Sequence, residues 1–147
     1  MKRLSLLTFA LLLVACRGKI AGTVPLAGDG DAEANIQTTG GKLTLWADTD
    51  GKWEGSENTK IDIRYDIEIL QQGKSLARLT CQTSDANTSV CGTHTNIMGQ
   101  HDADCELKLR CDVPAIPAGE TVFRVKGTTG TNVKMIRKMS LNVRSGS

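Results

Sequence analysis

The segment from Lys60 to Leu70 alternates apolar and polar residues more regularly than any other part of this 147-residue chain. Its apolar positions are every second residue: Ile61, Ile63, Tyr65, Ile67 and Ile69. Successive side chains of a β-strand point to opposite faces, so this spacing places one apolar row on one face. In a helix the same positions would spiral around the axis. The segment therefore predicts a β-strand with one buried face.

Weaker versions of this alternation predict at least five further strands, over residues 42–47, 75–81, 105–113, 120–126 and 133–144. The last of them should turn Met135 inward, and Arg137 interrupts its apolar face, which predicts a β-bulge there. Gly73 marks a hairpin turn over residues 71–74. Residues 48–51 predict a turn, and residues 51–59 and 82–104 predict polar loops.

Short alternating strands, polar turns and the lack of any helical pattern predict an all-β fold. The expected architecture is an antiparallel β-sandwich of about 6–8 strands that resembles the immunoglobulin fold, which has a similar size of about 100 residues. A small closed β-barrel is the alternative, because the number of strands does not distinguish the two. The domain is expected to span residues 42–147.

Four cysteines lie in this domain: Cys81, Cys91, Cys105 and Cys111. The N-terminal residues described below predict export, and an even number of cysteines in an exported domain predicts disulfides. A bond between Cys105 and Cys111 is disfavoured, because six residues of strand separate their Cα atoms by about 20 Å, whereas a disulfide tolerates about 7 Å. Two pairings remain open: 81–105 with 91–111, or 81–111 with 91–105.

A zinc site is the alternative use of two of these cysteines. Cys91 and His94 are separated by two residues, and His101 and Cys105 by three, so the four could form a C-x₂-H…H-x₃-C ligand set. Asp102 and Asp104 could be further ligands or could orient one. Export to an oxidising compartment favours disulfides over this site, so the sequence predicts no metal and no cofactor.

Candidate recognition residues are few. Trp53 lies in the predicted loop between Lys52 and Glu54, where an exposed tryptophan would contact a partner. The equal alternative is that its ring folds back over the end of the sandwich. The loops 48–59 and 82–104 are the expected contact surfaces, because binding residues concentrate on loops held by a rigid sheet. His94 and His101 are the candidate general bases, but no nucleophile elbow, phosphate loop or paired-cysteine redox motif accompanies them. The sequence therefore predicts a protein that is not an enzyme.

The charge balance bears on the partner class. The 18 Lys and Arg residues include Lys2 and Arg3, which precede the domain in a region expected to be removed, so the remaining cations equal the 16 Asp and Glu residues in number. A nucleic-acid surface is usually strongly basic, and this chain is not. The sequence thus predicts no nucleic-acid partner.

The N-terminal residues have the pattern of an export signal: Lys2 and Arg3, an apolar run to Ala15, and then Cys16. The run is too short to span a bilayer as a stable helix. Its last four residues, LVAC at 13–16, resemble the lipobox of bacterial lipoproteins. The resemblance implies cleavage before Cys16, a diacylglyceryl group on its thiol and an acylated amino terminus. Because Arg17 rather than aspartate follows, it also implies sorting to the outer membrane.

The expected organisation is a signal peptide over residues 1–15, a lipidated cysteine and flexible tether over 16–41, and the sandwich over 42–147. An early strand over 20–26 is the alternative to a wholly flexible tether. The predicted role is a lipid-anchored, non-enzymatic binding or structural module of the cell envelope, held to the membrane by its lipid and contacting an envelope protein. A periplasmic inhibitor or immunity-type lipoprotein and a zinc-binding envelope protein are the alternatives.

Overall fold

In a computed structural model of the chain, which describes residues 18–146, nine β-strands form two antiparallel sheets that do not close into a barrel. The strands are β1 (Lys19–Leu26), β2 (Gly30–Thr38), β3 (Leu43–Glu54), β4 (Ile63–Gln71), β5 (Lys74–Gln82), β6 (Thr88–Ile97), β7 (Gln100–Lys108), β8 (Gly119–Thr129) and β9 (Val133–Ser145). A single 3₁₀ turn, Thr83–Asp85, follows β5. The predicted β-sandwich is confirmed, and the barrel alternative is wrong.

The first sheet has the strand order β1-β9-β3-β7-β6, and the second has the order β2-β8-β4-β5. The core lies between them and is formed by the inward rows of both sheets. The predicted burial of the apolar row over residues 61–69 is confirmed, since each of its members is at most 3% exposed, although β4 itself begins at Ile63. The other fully buried core residues include Leu43, Leu45 and Ala47 of β3, Leu107 of β7, Phe123 and Val125 of β8, and Leu141 and Val143 of β9.

The prediction of a flexible tether over residues 16–41 is wrong for residues 19–38, and the early-strand alternative is confirmed. β1 pairs with β9, and β2 pairs with β8, so the sandwich begins at Lys19 rather than at residue 42. Both are edge strands, and only Val24 and Ile36 are fully buried apolar residues in them. An edge strand with so little buried surface leaves a weak alternation in the sequence.

β3 runs straight through the turn predicted at residues 48–51. The carboxylates of Asp48 and Asp50 accept hydrogen bonds from Lys138 and Arg137 on the neighbouring strand β9. Thr49, which lies between these aspartates, and Trp53, farther along β3, point into the core. Cross-strand ion pairs on one face and burial on the other therefore stabilise a β-strand here, although the residue types favour a turn.

The bulge predicted at Arg137 is confirmed, because Asp50 pairs with Lys138 while the next residue, Gly51, pairs with Ile136. Because the pairing skips Arg137, the residues of β9 that precede it face the opposite sides of the sheet from those expected for a regular strand. Ile136 consequently packs against the core, whereas Met135 is 47% exposed, contrary to the prediction. The strand predicted over 105–113 is shifted along the sequence, since β7 begins at Gln100 and ends at Lys108.

Candidate binding surface

The segment predicted as a polar loop over residues 82–104 is a β-hairpin. β6 and β7 are joined by a two-residue turn in which Met98 and Gly99 both have positive φ, 53° and 82°. Such a turn matches the twist of the flanking strands. The loop prediction was wrong because β6 is exposed on both faces and so has no alternating apolar row.

Apolar side chains concentrate at this hairpin. Ile97 is 70% exposed and Met98 is 99% exposed, and Val90 on the same strand is 40% exposed. Five large apolar side chains of the described residues are exposed, and these are three of them. Single exposed apolar residues are ordinary, but Ile97 and Met98 are adjacent at the hairpin tip, which makes the hairpin a candidate contact surface.

The four cysteines form the disulfides Cys81–Cys111 and Cys91–Cys105, which is the second of the two pairings left open by the sequence. The first joins β5 to the segment after β7, and the second joins β6 to β7. Because Cys91 and Cys105 are bonded to each other, their sulfurs are not thiolate ligands. The zinc alternative with Cys91, His94, His101 and Cys105 is therefore wrong, and the described residues contain no cluster of metal-binding side chains.

Trp53 is buried, so the recognition interpretation is wrong and the alternative, that its ring packs against the sandwich, is confirmed. It is 4% exposed on β3, and its indole N–H donates a 2.8 Å hydrogen bond to the carbonyl of Thr59. His101 stacks on it with ring centroids 5.1 Å apart and planes 4° from parallel. His94 of β6 stacks on both rings, at 5.7 Å from Trp53 and 5.2 Å from His101.

Hydrogen bonds join the two histidines to each other and to the backbone. His94 Nε2 lies 2.9 Å from His101 Nδ1, and His101 Nε2 lies 2.9 Å from the carbonyl oxygen of Ser56. Asp102 and Asp104 alternate with buried neighbours on β7 and point to the outer face. These two carboxylates are thus on the opposite side of the sheet from the imidazoles and do not form a catalytic triad with them.

A crevice of about 140 Å³ opens beside this ring stack, between the inner face of β6 and the segment after β3. Ser89, Cys91 and His94 of β6 form one wall. Trp53 and residues 57–61 form much of the other. The crevice lies at the free edge of the first sheet, next to the contact surface described above.

The outer face of the same hairpin is acidic. A depression of about 250 Å³ there is lined by Asp48, Val90, Gly92, Asp104, Glu106 and Lys138. Lys138 donates its hydrogen bond to Asp48, and Arg144 contacts Glu106. Asp104 is exposed and takes part in no salt bridge among the described residues. The depression therefore has an excess of carboxylates.

A larger groove, of about 710 Å³, crosses the outer face of the second sheet. Its charged residues pair with one another: Arg124 with Glu33 and Glu68, and Arg78 with Glu68. Hydrogen bonds from Arg64 and Thr80 lower the pKa of Asp66. These ion pairs span adjacent strands, and Asp31 and Lys126 are the charged lining residues outside the salt bridges, so most of the charge in the groove is matched.

Cys16, the predicted lipidation site, lies outside the described residues. Within residues 18–146, no helix is long and apolar enough to cross a bilayer. Comparison of the chain with protein-family models, with curated proteins and with solved structures finds no match.

Proposed function

We propose that this chain is a lipid-anchored, non-enzymatic protein of the bacterial cell envelope that binds another envelope protein through its β6–β7 hairpin. The observation that carries the binding role is the pair of exposed apolar side chains at the hairpin tip, Ile97 and Met98. Removing such side chains from water against a partner is favourable by about 25 cal/mol for each Å², from which the entropy and desolvation costs of association are subtracted.

The anchor is supported by the lipobox-like residues that end at Cys16 and by the two disulfides, which suit an oxidising compartment. Two acyl chains or more hold a protein durably on a bilayer. Arg17 after the cysteine favours the outer membrane.

The position of β1 adds a constraint on how the anchored domain sits. Lys19 begins β1 only three residues after Cys16, and three residues reach at most about 10 Å. A lipid on Cys16 would thus hold the sandwich close to the headgroups.

The binding hairpin lies at the far end of the same sheet. Ser145 pairs with both Lys19 and Leu43, whereas Gln100 pairs with Glu54 at the other end of β3. The twelve residues of β3 separate these ends by about 35 Å. The anchor and the hairpin tip therefore lie at opposite ends, which leaves the tip accessible to a partner.

Mass spectrometry of the N-terminal peptide from separated inner and outer membranes tests the anchor. We expect an acylated Cys16 in the outer-membrane fraction, and we expect Cys16→Ser to remain unprocessed. An unmodified Cys16 in a soluble protein would contradict the proposal.

Site-specific photocrosslinking in intact cells tests the binding surface. A photoreactive amino acid at Met98 should capture one discrete envelope protein. The matched control is Gln72, which has a similar positive φ in the two-residue turn between β4 and β5. Equal capture from both positions would count against the hairpin.

A second variant separates binding from folding. Met98→Asn removes the apolar side chain but keeps a residue that favours positive φ, so the turn should persist. We expect loss of the adduct formed from a photoreactive residue at Ile97 with little change in Tm. An undiminished adduct would contradict the role of the apolar tip.

A further inference from the structure

We propose that β6 is a docking edge that takes up an extended segment of a partner protein as an additional strand of the first sheet, and that this segment alternates apolar and basic side chains. The inference deepens the proposed binding function and rests on it for the existence of a partner. It does not depend on the lipid anchor.

The free edge of β6 lacks the charged residues and prolines that help to prevent strand addition, but a bulge interrupts its ladder with β7 between Cys91 and His94. The regular part of the strand, residues 88–91, is therefore the part that can pair with an added strand. Exposed edges are normally protected by charged residues, prolines or covering elements. The other three edge strands carry such residues: Lys19 and Pro25 on β1, Asp31 and Glu33 on β2, and Lys74 and Arg78 on β5. β6, with the sequence TSVCGTHTNI, has no proline, lysine, arginine or carboxylate.

The backbone of β6 offers hydrogen-bonding groups at this edge. The Cα atoms of Cys91 and Cys105 are 4.0 Å apart, a separation typical of the non-hydrogen-bonded pairs of an antiparallel ladder. Residues in such a pair turn their N–H and C=O groups away from each other, so those of Cys91 face the free edge. Ser89, two residues earlier in the same register, faces it too. Among the described residues, no backbone hydrogen bond outside the ladders involves β6.

The inner side of the edge has a place for an apolar side chain. An added strand would lie beside β6 and would direct every second side chain toward the core. The crevice of about 140 Å³ opens there, with Cys91 and His94 on one wall and Trp53 on the other. In strand addition, backbone hydrogen bonds supply affinity and pockets for alternate side chains supply specificity. An aliphatic side chain entering the crevice would cover the ring stack and the disulfide.

The outer side of the edge selects basic side chains. The side chains between the inward ones would lie over the acidic depression, where Asp104 makes no salt bridge with the described residues. Gly92 stands between the free edge and Asp104, and a Cβ built on Gly92 would have its nearest neighbour 3.9 Å away, at the Asp104 carbonyl oxygen. A long lysine or arginine side chain could therefore cross β6 without obstruction. Charge complementarity at this position specifies the partner.

A second copy of this chain fits the edge less well. Pairing β6 with another β6 would bring no basic side chain to the depression. The inward residues of β6 are polar or are held in the disulfide: Ser89, Cys91, His94 and Asn96. Such a pairing would leave both the crevice and the acidic depression without a matching group.

Binding of a model segment tests the proposal. The probe is a blocked, fluorescently labelled peptide, as long as β6, that alternates lysine and valine, and the control peptide alternates glutamate and valine. We expect the lysine peptide to bind the purified protein at least about tenfold more tightly by fluorescence anisotropy. Binding should also slow hydrogen exchange at the amides of Ser89 and Cys91. Equal affinity for the two peptides, or protection confined to another edge, would overturn the proposal.

Two substitutions test the edge and its charge separately. Ser89→Pro removes an N–H that faces the free edge, so the fold should keep its ladder bonds while peptide binding is lost. Asp104→Lys should reverse the preference between the two peptides, whereas the matched change Asp31→Lys on the second sheet should not. Peptide binding that survives Ser89→Pro in a protein of unchanged Tm would contradict the model of strand addition, as would dimerisation through β6.

The outcomes separate this proposal from the anchor. A protein without a lipid that still binds the lysine peptide would remove the anchored role and support the docking edge. A lipidated protein that binds neither peptide would support the anchor and overturn the docking edge.

Discussion

His94 Nε2 lies 2.9 Å from His101 Nδ1, and the other hydrogen bond of His101, to the carbonyl of Ser56, determines which of the two nitrogens is the donor. The carbonyl of Ser56 can only accept a hydrogen bond, so Nε2 of His101 carries a hydrogen and donates it. For a neutral His101, Nδ1 is then an acceptor, and His94 must donate through its Nε2. The exposed histidine of the edge strand therefore completes the hydrogen bonding of the buried one.

The two histidines should differ in their contribution to stability. His101 is 1% exposed and stacks on Trp53, so His101→Ala leaves a cavity and removes the donor to Ser56. We expect the free energy of unfolding to fall by about 2–4 kcal/mol. His94→Ala serves as the comparison and should cost less, about 1–2 kcal/mol, because it leaves Nδ1 of His101 without its donor but removes no buried ring. Urea unfolding of both variants measures the difference, and equal losses would contradict the assignment of His101 to the core.

Trp53 should behave as a core residue and not as an exposed recognition residue. Trp53→Ala should lower the free energy of unfolding by about 3–5 kcal/mol, because a large buried ring is lost. Trp53→Phe keeps an aromatic ring but leaves the Thr59 carbonyl without its donor. It should lower the free energy of unfolding by only about 1–2 kcal/mol. Thermal or urea unfolding checks the order. A Trp53→Ala protein of unchanged Tm would restore the sequence-based interpretation.

How much of this fold the sequence predicts depends on where each strand lies in its sheet. β4 lies between β8 and β5 with one face buried, and its alternation is unmistakable. β2 and β6 are edge strands with few buried apolar residues, and they were therefore predicted as a tether and a loop. β3 was interrupted in the prediction at residues 48–51, because no local rule shows that Lys138 and Arg137 will pair with its aspartates.

The candidate site was predictable only in part. The expected oxidising compartment predicted disulfides, and strand geometry disfavoured the bond between Cys105 and Cys111. The choice between the other two pairings required the positions of β5, β6 and β7. Trp53 and the two histidines were each singled out, yet nothing in their sequence spacing indicates that they stack. The free edge of β6 is a property of the topology, although the run of residues 88–97 without charge or proline was visible in the sequence.

The two disulfides should stabilise the fold to a similar extent and restrain different parts of it. They close segments of 30 and 14 residues, for which loop-closure entropy gives about 3–4 kcal/mol each. We expect Cys91→Ala/Cys105→Ala to speed hydrogen exchange along β6, because that bridge holds the edge strand on β7. Cys81→Ala/Cys111→Ala should leave exchange in β6 nearly unchanged. The same exchange pattern in both double variants would contradict this division.

Glycine is required at Gly51 and not at Gly92. A Cβ on Gly51 would lie 2.4 Å from the carbonyl oxygen of Met135, beside the bulge of β9, and the backbone would have to move. Gly51→Ala should therefore cost about 1–3 kcal/mol of stability. Gly92→Ala meets nothing closer than 3.9 Å and should change stability by less than about 0.5 kcal/mol. Denaturant unfolding of the two variants provides the comparison, and equal effects would place the bulge elsewhere.

Arg137 should account for part of the loss of stability in acid. Its guanidinium bonds to Asp50 and Asp102, and the hydrogen bond to Asp102 is the main reason that the pKa of this carboxyl group is lowered. Since the folded state lowers this pKa, the ionised form contributes stability above the unfolded pKa of about 3.9. That contribution disappears as the pH falls through the folded pKa.

We therefore expect Arg137→Met to be less stable than the parent at neutral pH, with the difference shrinking as the pH falls below about 4. The effect should be modest and should decrease with added salt, since the groups are exposed to solvent. Arg110→Met is the matched control, because Arg110 is exposed and makes no salt bridge with the described residues. Urea unfolding at a series of acidic pH values measures the free energy of unfolding of each protein. A difference between Arg137→Met and the parent that grows as the pH falls would contradict the expected pH dependence.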